Sequence, residues 1–65
     1  MTPYSVIVRR RGIPALEVRL LVRASSKLAA GELAATLAER QHGGLFEPRR
    51  VRRARVHAGA VFDAA

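Results

Sequence analysis

The chain contains no cysteine and no tryptophan, and its aromatic residues are Tyr4, Phe46 and Phe62 alone. Without cysteine there are no disulfides, thiolate metal sites or cysteine nucleophiles, so stability has to come from a packed core, with or without a partner subunit. A reducing compartment such as the cytoplasm suits that composition. So few aromatics make a base-stacking platform a poor candidate, the more so because Tyr4 and Phe62 lie near the ends. Acids are scarce too. Glu17, Glu32, Glu39, Glu47 and Asp63 are scattered, and Glu32 with Glu39 is a heptad-spaced pair on a helix flank rather than a catalytic acid/base pair. No apolar run approaches the roughly 20 residues of a membrane span, and residues 5–8 are too short and wrongly placed for a secretory signal. A soluble, cytoplasmic protein without a membrane partner is expected.

What the chain does have is alanine and arginine. Hydrophobic residues make up 49%, twelve of them alanine, and this is enough for collapse despite a net charge of +7. A chain of 65 residues buries only about 60% of its unfolded surface and holds one small domain. That domain is expected to span residues 1–65, with residues 1–3 and 59–65 as its fraying ends.

Hydrophobic alternation predicts two strands. In residues 4–10, Tyr4, Val6 and Val8 share one side and Ser5, Ile7 and Arg9 the other. Gly12 and Pro14 then make a turn. In residues 15–24, Leu16, Val18, Leu20, Val22 and Ala24 face one way, and Glu17, Arg19, Leu21 and Arg23 the other. Ser25 and Ser26 offer a hydroxyl N-cap to a helix over 27–42 that stops at Gly43 and Gly44. Its expected buried stripe is Ala30, Leu33, Ala34, Leu37, Ala38 and Gln41. Gly31, inside the first turns, costs about 1 kcal/mol relative to alanine. Residues 45–48 read as a loop whose Leu45 and Phe46 cover the bottom of the core.

Residues 49–58 admit two readings. As a strand with a bulge near Arg52 or Arg53, the segment puts Val51, Ala54, Val56 and Ala58 on one face. As a helix, it takes Pro48 at its first position and a stripe of Val51, Ala54, Ala58, Val61 and Phe62. The strand is preferred, because a lone hairpin leaves too little sheet to cover the helix. The expected fold is α+β: a ββαβ two-layer sandwich, with a three-stranded antiparallel sheet and one helix on one face. Ile7 and Leu21 would then lie on the open face as a candidate dimer or partner interface, or as ordinary isolated apolar residues.

Catalysis finds little support. His42 sits at the helix end, where it caps the C-terminus, and His57 lies on the surface. Neither has a companion at metal-ligand spacing, and Gly43-Gly44 lacks the lysine and the strand-to-helix setting of a phosphate loop. No enzyme activity, cofactor, metal or small-molecule substrate is expected. Arginine carries the functional signal: eleven of the twelve basic residues are arginine, five within 49–55 and three within 9–11. Guanidinium groups bind phosphate through paired donors and stay charged. Arg9, Arg10, Arg11, Arg49, Arg50, Arg52, Arg53 and Arg55, joined by Arg19 and Arg23 from the sheet, are the candidate nucleic-acid or partner-binding residues. The bland alternative is an arginine-rich surface that serves only to keep a small protein soluble. The helix lacks the basic and bulky apolar faces of a membrane-surface helix.

The pattern Ala24-x-Ser26-x-x-x-Ala30-x-x-Leu33-Ala34, after an alternating strand and before His42-Gly43 and another strand, resembles small ββαβ accessory proteins of phages and mobile elements, including some type I anti-CRISPR proteins. More distantly it resembles an archaeal and eukaryotic large-subunit ribosomal protein family. The likeness spans residues 15–56. The anti-CRISPR resemblance implies a non-enzymatic inhibitor that docks on a guide-RNA surveillance complex, through basic contacts. This chain departs from that pattern in its heavier arginine load and its lack of an aromatic-rich tail, which favours nucleic acid or a nucleoprotein as target. Three functions follow as expectations: a basic module binding DNA, RNA or a nucleoprotein; an inhibitor or adaptor acting by protein–protein binding; and a small subunit that dimerises or completes a larger assembly.

Overall fold

The structure is a computed structural model that describes residues 1–63. Its elements run β1 (Thr2–Arg10), β2 (Leu16–Ala24), α1 (Lys27–His42) and β3 (Phe46–Arg53). The three strands form an antiparallel sheet in the order β2-β1-β3, so the first strand is central and β2 and β3 are the edges. The helix lies on one face only. This is the α+β, ββαβ two-layer architecture that the alternation of strands and helix predicts.

Alternation builds the core. Tyr4, Val6 and Val8 of β1 pair across to Val22, Leu20 and Val18 of β2. All of these are buried against the helix except Val18, which packs at its margin. Fully burying a valine or leucine side chain contributes about 1.5–3 kcal/mol. The helix presents mostly small residues to this sheet: Ala30, Gly31, Ala34, Ala35 and Ala38, with Leu37 the large exception. The buried stripe is therefore turned toward Gly31 and Ala35. Leu33 is only partly buried and Gln41 is exposed, a correction to the expected stripe. Gly31 is explained by proximity, since a Cβ there would lie 3.2 Å from Pro48 Cβ and 3.6 Å from Val51 Cγ2. The helix approaches β3 so closely at that turn that a side chain there would have to push Pro48 back by a few tenths of an ångström.

Both helix ends are satisfied by local chemistry. Ser26 Oγ accepts from the Ala29 N–H at 3.1 Å, meeting one of the unpaired donors of the first turn. Gly43, at φ 75°, ends the helix with its N–H donating to the Glu39 carbonyl at 2.9 Å. Glu39 also reaches forward, its Oε2 accepting from the Phe46 N–H at 3.1 Å. One residue of the helix thereby orients the start of β3.

The third strand corrects the sequence reading in three respects. It is a strand and not a helix, but it begins at Phe46 and ends at Arg53. The expected loop at 45–48 thus gives most of its length to the sheet; Phe46 is buried as expected, while Leu45 is exposed. The irregularity lies at Arg49, where Val8 pairs with Pro48 and Ile7 with Arg50, and not near Arg52 or Arg53. Val51 does face the core, but Val56 and Ala58 lie beyond the sheet and are exposed. At the N-terminal end expected to fray, Thr2 and Pro3 pair with Ala24 and Arg23. In the expected extension 59–65, Val61 is exposed and Phe62 partly buried; residues 64 and 65 lie outside the described residues.

Candidate nucleic-acid interface

With the helix on one face, the opposite face of the sheet is lined by the odd-numbered residues of β1 and β2. Register places their partners on β3 in rows. Nearest the hairpin, Arg9 lies between Glu17 and Glu47. In the next row Ile7 lies between Arg19 and Arg50, and in the third Ser5 lies between Leu21 and Arg52. The bulge at Arg49 inserts one residue between Pro48 and Arg50. It lets the strand keep Pro48 and Val51 toward the helix while Arg50 and Arg52 stay on the open face.

These rows converge on one feature. Arg19, Arg50 and Arg52 surround a shallow cleft of about 200 Å³ whose floor is Ser5 and Ile7. Strand spacing sets Arg19 and Arg50 about 10 Å apart at the backbone, and Arg50 and Arg52 lie about 7 Å apart along β3. The cleft exists because the central strand carries short or aliphatic side chains between long ones. Arg49 and Arg50 also line a neighbouring hollow with Ile7 and Glu17. Among the described residues, the side chains of Arg19, Arg49, Arg50 and Arg52 make no ion pair and no hydrogen bond. Each guanidinium therefore keeps five N–H donors for an external acceptor.

The other candidate arginines are placed differently. Arg10 faces the helix side, where its Nη1 donates to the carbonyls of His42 at 3.0 Å and Gly43 at 3.3 Å, and its guanidinium lies 5.9 Å from the Phe46 ring centroid. It closes the helix C-terminus and does not belong to the open face. Arg11 is tied to Glu47 by two contacts, Nε to Oε1 at 3.2 Å and Nη2 to Oε2 at 3.0 Å. Arg23 stands over the Phe62 ring, 4.0 Å from its centroid, at the end of the open face away from the hairpin. Arg53 pairs with Tyr4, on the helix side of the edge strand, and Arg55 follows in the tail; both are exposed. The ten residues thus divide. Arg19, Arg49, Arg50 and Arg52 form the cluster, Arg9 and Arg23 flank it, Arg53 and Arg55 are exposed outside it, and Arg10 and Arg11 are engaged internally.

Ile7 and Leu21 are both partly buried. Ile7 is the floor between two arginines, and Leu21 has its backbone clamped by Asp63. They form the base of the cationic face and not a separate apolar patch. The aromatics give that face no stacking surface: Tyr4 and Phe46 are buried, and Phe62 is covered by Arg23. His42 lies 6.1 Å from the Phe46 ring, and His57 has its Nδ1 2.9 Å from its neighbour's carbonyl. No group of three or more His, Cys, Asp or Glu among the described residues could hold a metal ion. No helix among them is long and apolar enough to cross a membrane. Two contributors were missed by sequence reasoning: Ser5, visible only as the one small polar residue in the central alternation, and Phe62, whose pairing with Arg23 joins residues far apart in the chain. No family model, curated protein or solved structure matches the chain.

Proposed function

We propose that this chain is a small, non-enzymatic cytoplasmic module that binds nucleic acid, free or within a nucleoprotein, by the sugar–phosphate backbone. The observation that carries this reading is the convergence of Arg19, Arg50 and Arg52 on one cleft with no internal acceptor. Three guanidiniums at this spacing cost electrostatic repulsion when the face is empty, and an anion relieves it. Phosphate suits the planar, paired donors of arginine. The lack of an aromatic platform supports backbone contacts over base stacking, and hence weak sequence preference. Arg49 and Arg23 extend the track along and across the sheet, and the exposed Arg53 and Arg55 add positive charge beyond the face.

Fluorescence anisotropy with labelled duplex DNA, duplex RNA and single strands, each titrated across salt, tests the reading. Affinity should fall steeply with salt, with a slope of roughly −0.9 per duplex phosphate neutralised. Absence of binding to every one of these at low salt would remove it. Nuclease treatment before capture of partners tests the rival reading, an inhibitor or adaptor of phage or mobile-element type. A specific protein partner that survives nuclease would favour that rival.

A further inference from the structure

The outer edge of β2 carries a second message. In an antiparallel ladder, alternate residues of an edge strand turn both backbone groups outward. Leu21 is one of these: its N–H donates to Asp63 Oδ2 at 2.7 Å, and its carbonyl accepts from the Asp63 N–H at 2.8 Å. Glu17, Arg19 and Arg23 share its parity. Among the described residues their outward backbone groups have no partner beyond the sheet. Asp63 therefore occupies the middle of an otherwise open pairing edge, and Phe62 beside it holds the Arg23 guanidinium.

The side chains along this edge complement themselves. If a second copy of β2 runs antiparallel about a two-fold axis at Leu20, Glu17 meets Arg23, Arg19 meets Leu21, Val18 meets Val22 and Leu16 meets Ala24, each pair occurring twice. Outward-facing residues meet outward-facing residues, so donors find acceptors. On the helix side every pair is apolar, and Leu16 and Val18, only partly buried in one chain, gain cover. On the open side the charges set directly opposite one another are of unlike sign. Axes at Arg19 or Leu21 instead set Arg19 against Arg19 or against Arg23, and like charges oppose pairing.

We propose that β2 is a self-association strand, pairing with β2 of a second copy about Leu20, and that residues 60–63 are a strap competing for the same edge. Pairing requires Asp63 to leave Leu21 and frees Arg23 from Phe62 for the partner's Glu17. The product is a closed two-fold dimer with a six-stranded sheet. This inference does not depend on nucleic-acid binding.

Analytical ultracentrifugation without nucleic acid tests it on the full chain. Asp63→Ala, which removes the charged acceptor from the strap, should raise the association constant about tenfold. Adding Glu17→Arg should abolish that gain, and combining Glu17→Arg with Arg23→Glu should restore it. Phe62→Ala loosens the strap from its other contact and should act in the same direction, which keeps the test decisive if Asp63→Ala folds poorly. No increase in self-association in either strap variant, or association indifferent to Glu17→Arg, overturns the proposal.

Discussion

Residues 9–11 and residues 49–55 are both arginine-rich runs, yet the fold employs them in opposite ways. In the first, Arg10 ties the end of the central strand to the helix C-terminus, Arg11 is tied to Glu47, and Arg9 lies in register between two glutamates. In the second, Arg49, Arg50 and Arg52 meet no acceptor among the described residues. The first run sits where strand, helix end and the start of β3 come together, so carbonyls and carboxylates are at hand. The second lies largely on an edge strand whose bulge and register turn Arg50 and Arg52 to the solvent-facing side of the sheet. Charge in a sequence is therefore not charge available to a ligand; availability depends on which acceptors the topology brings nearby.

The comparison can be broken by substituting each set separately. Replacing Arg19, Arg50 and Arg52 together by alanine should weaken nucleic-acid binding by about a hundredfold or more at low salt and reduce the salt slope by about three. Replacing Arg10 and Arg11 together should leave that slope nearly unchanged. If the second pair matters as much as the first triad, the distinction fails. The stability readout should run the other way. Arg10→Ala removes charge-assisted bonds to two helix-end carbonyls and should cost about 1.5 kcal/mol in a denaturant titration, whereas the triad should unfold at the same denaturant concentration or a slightly higher one.

Much of this fold was legible because its signals are local. The period-two alternation in residues 15–24 and the serine and glycine bounding Lys27–His42 each act within a few residues, and the structure places both elements within a residue of expectation. The third strand was harder. Its run of arginines hides the alternation, and its first residue is held by a side-chain contact from the helix, the Glu39 carboxylate accepting from the Phe46 N–H, that period-two patterning does not show. The bulge at Arg49 lies between Pro48 and Val51, both of which pack near Gly31, a long-range juxtaposition that no local pattern encodes. For the same reason the candidate site was only partly legible. Residue type identified the arginines, but cross-strand register selected Arg19, Arg50 and Arg52 and diverted Arg10 and Arg11.

That close helix contact offers a sharper probe of the second run. Gly31→Ala improves helix propensity by about 1 kcal/mol, but the added Cβ meets the Pro48 ring at 3.2 and 3.3 Å. Overpacking a close contact costs about 1–3 kcal/mol, so a net loss of about 1 kcal/mol is expected, or about 4–8 °C in Tm. Because Pro48 immediately precedes the bulge, the same substitution should also shift the backbone amide resonances of Arg49 and Arg50. A stabilised protein with unmoved resonances would mean that β3 is not held by the helix at this point.

The smallest effect distinguishes the two internally engaged arginines from each other. The Arg11–Glu47 pair has two well-placed contacts, but the Arg11 side chain is 82% exposed and that of Glu47 41%. Solvent and salt screen such a pair, and exposed ion pairs contribute between about 0 and 1 kcal/mol. Arg11→Ala should therefore change stability by about 0.5 kcal/mol or less, and that difference should vanish in high salt. The Arg10→Ala cost should largely persist in salt, because its acceptors are backbone carbonyls at a helix terminus, which would otherwise lose a partner. Freed of Arg11, Glu47 remains beside Arg9 in the register, so the hairpin end of the open face becomes more acidic. Arg11→Ala should consequently weaken nucleic-acid binding slightly, by less than about twofold, and Glu47→Gln should strengthen it by a similar factor. Were Arg11→Ala instead to match the loss caused by removing Arg50, the ion pair would have to open on binding, and the first run would belong to the interface after all.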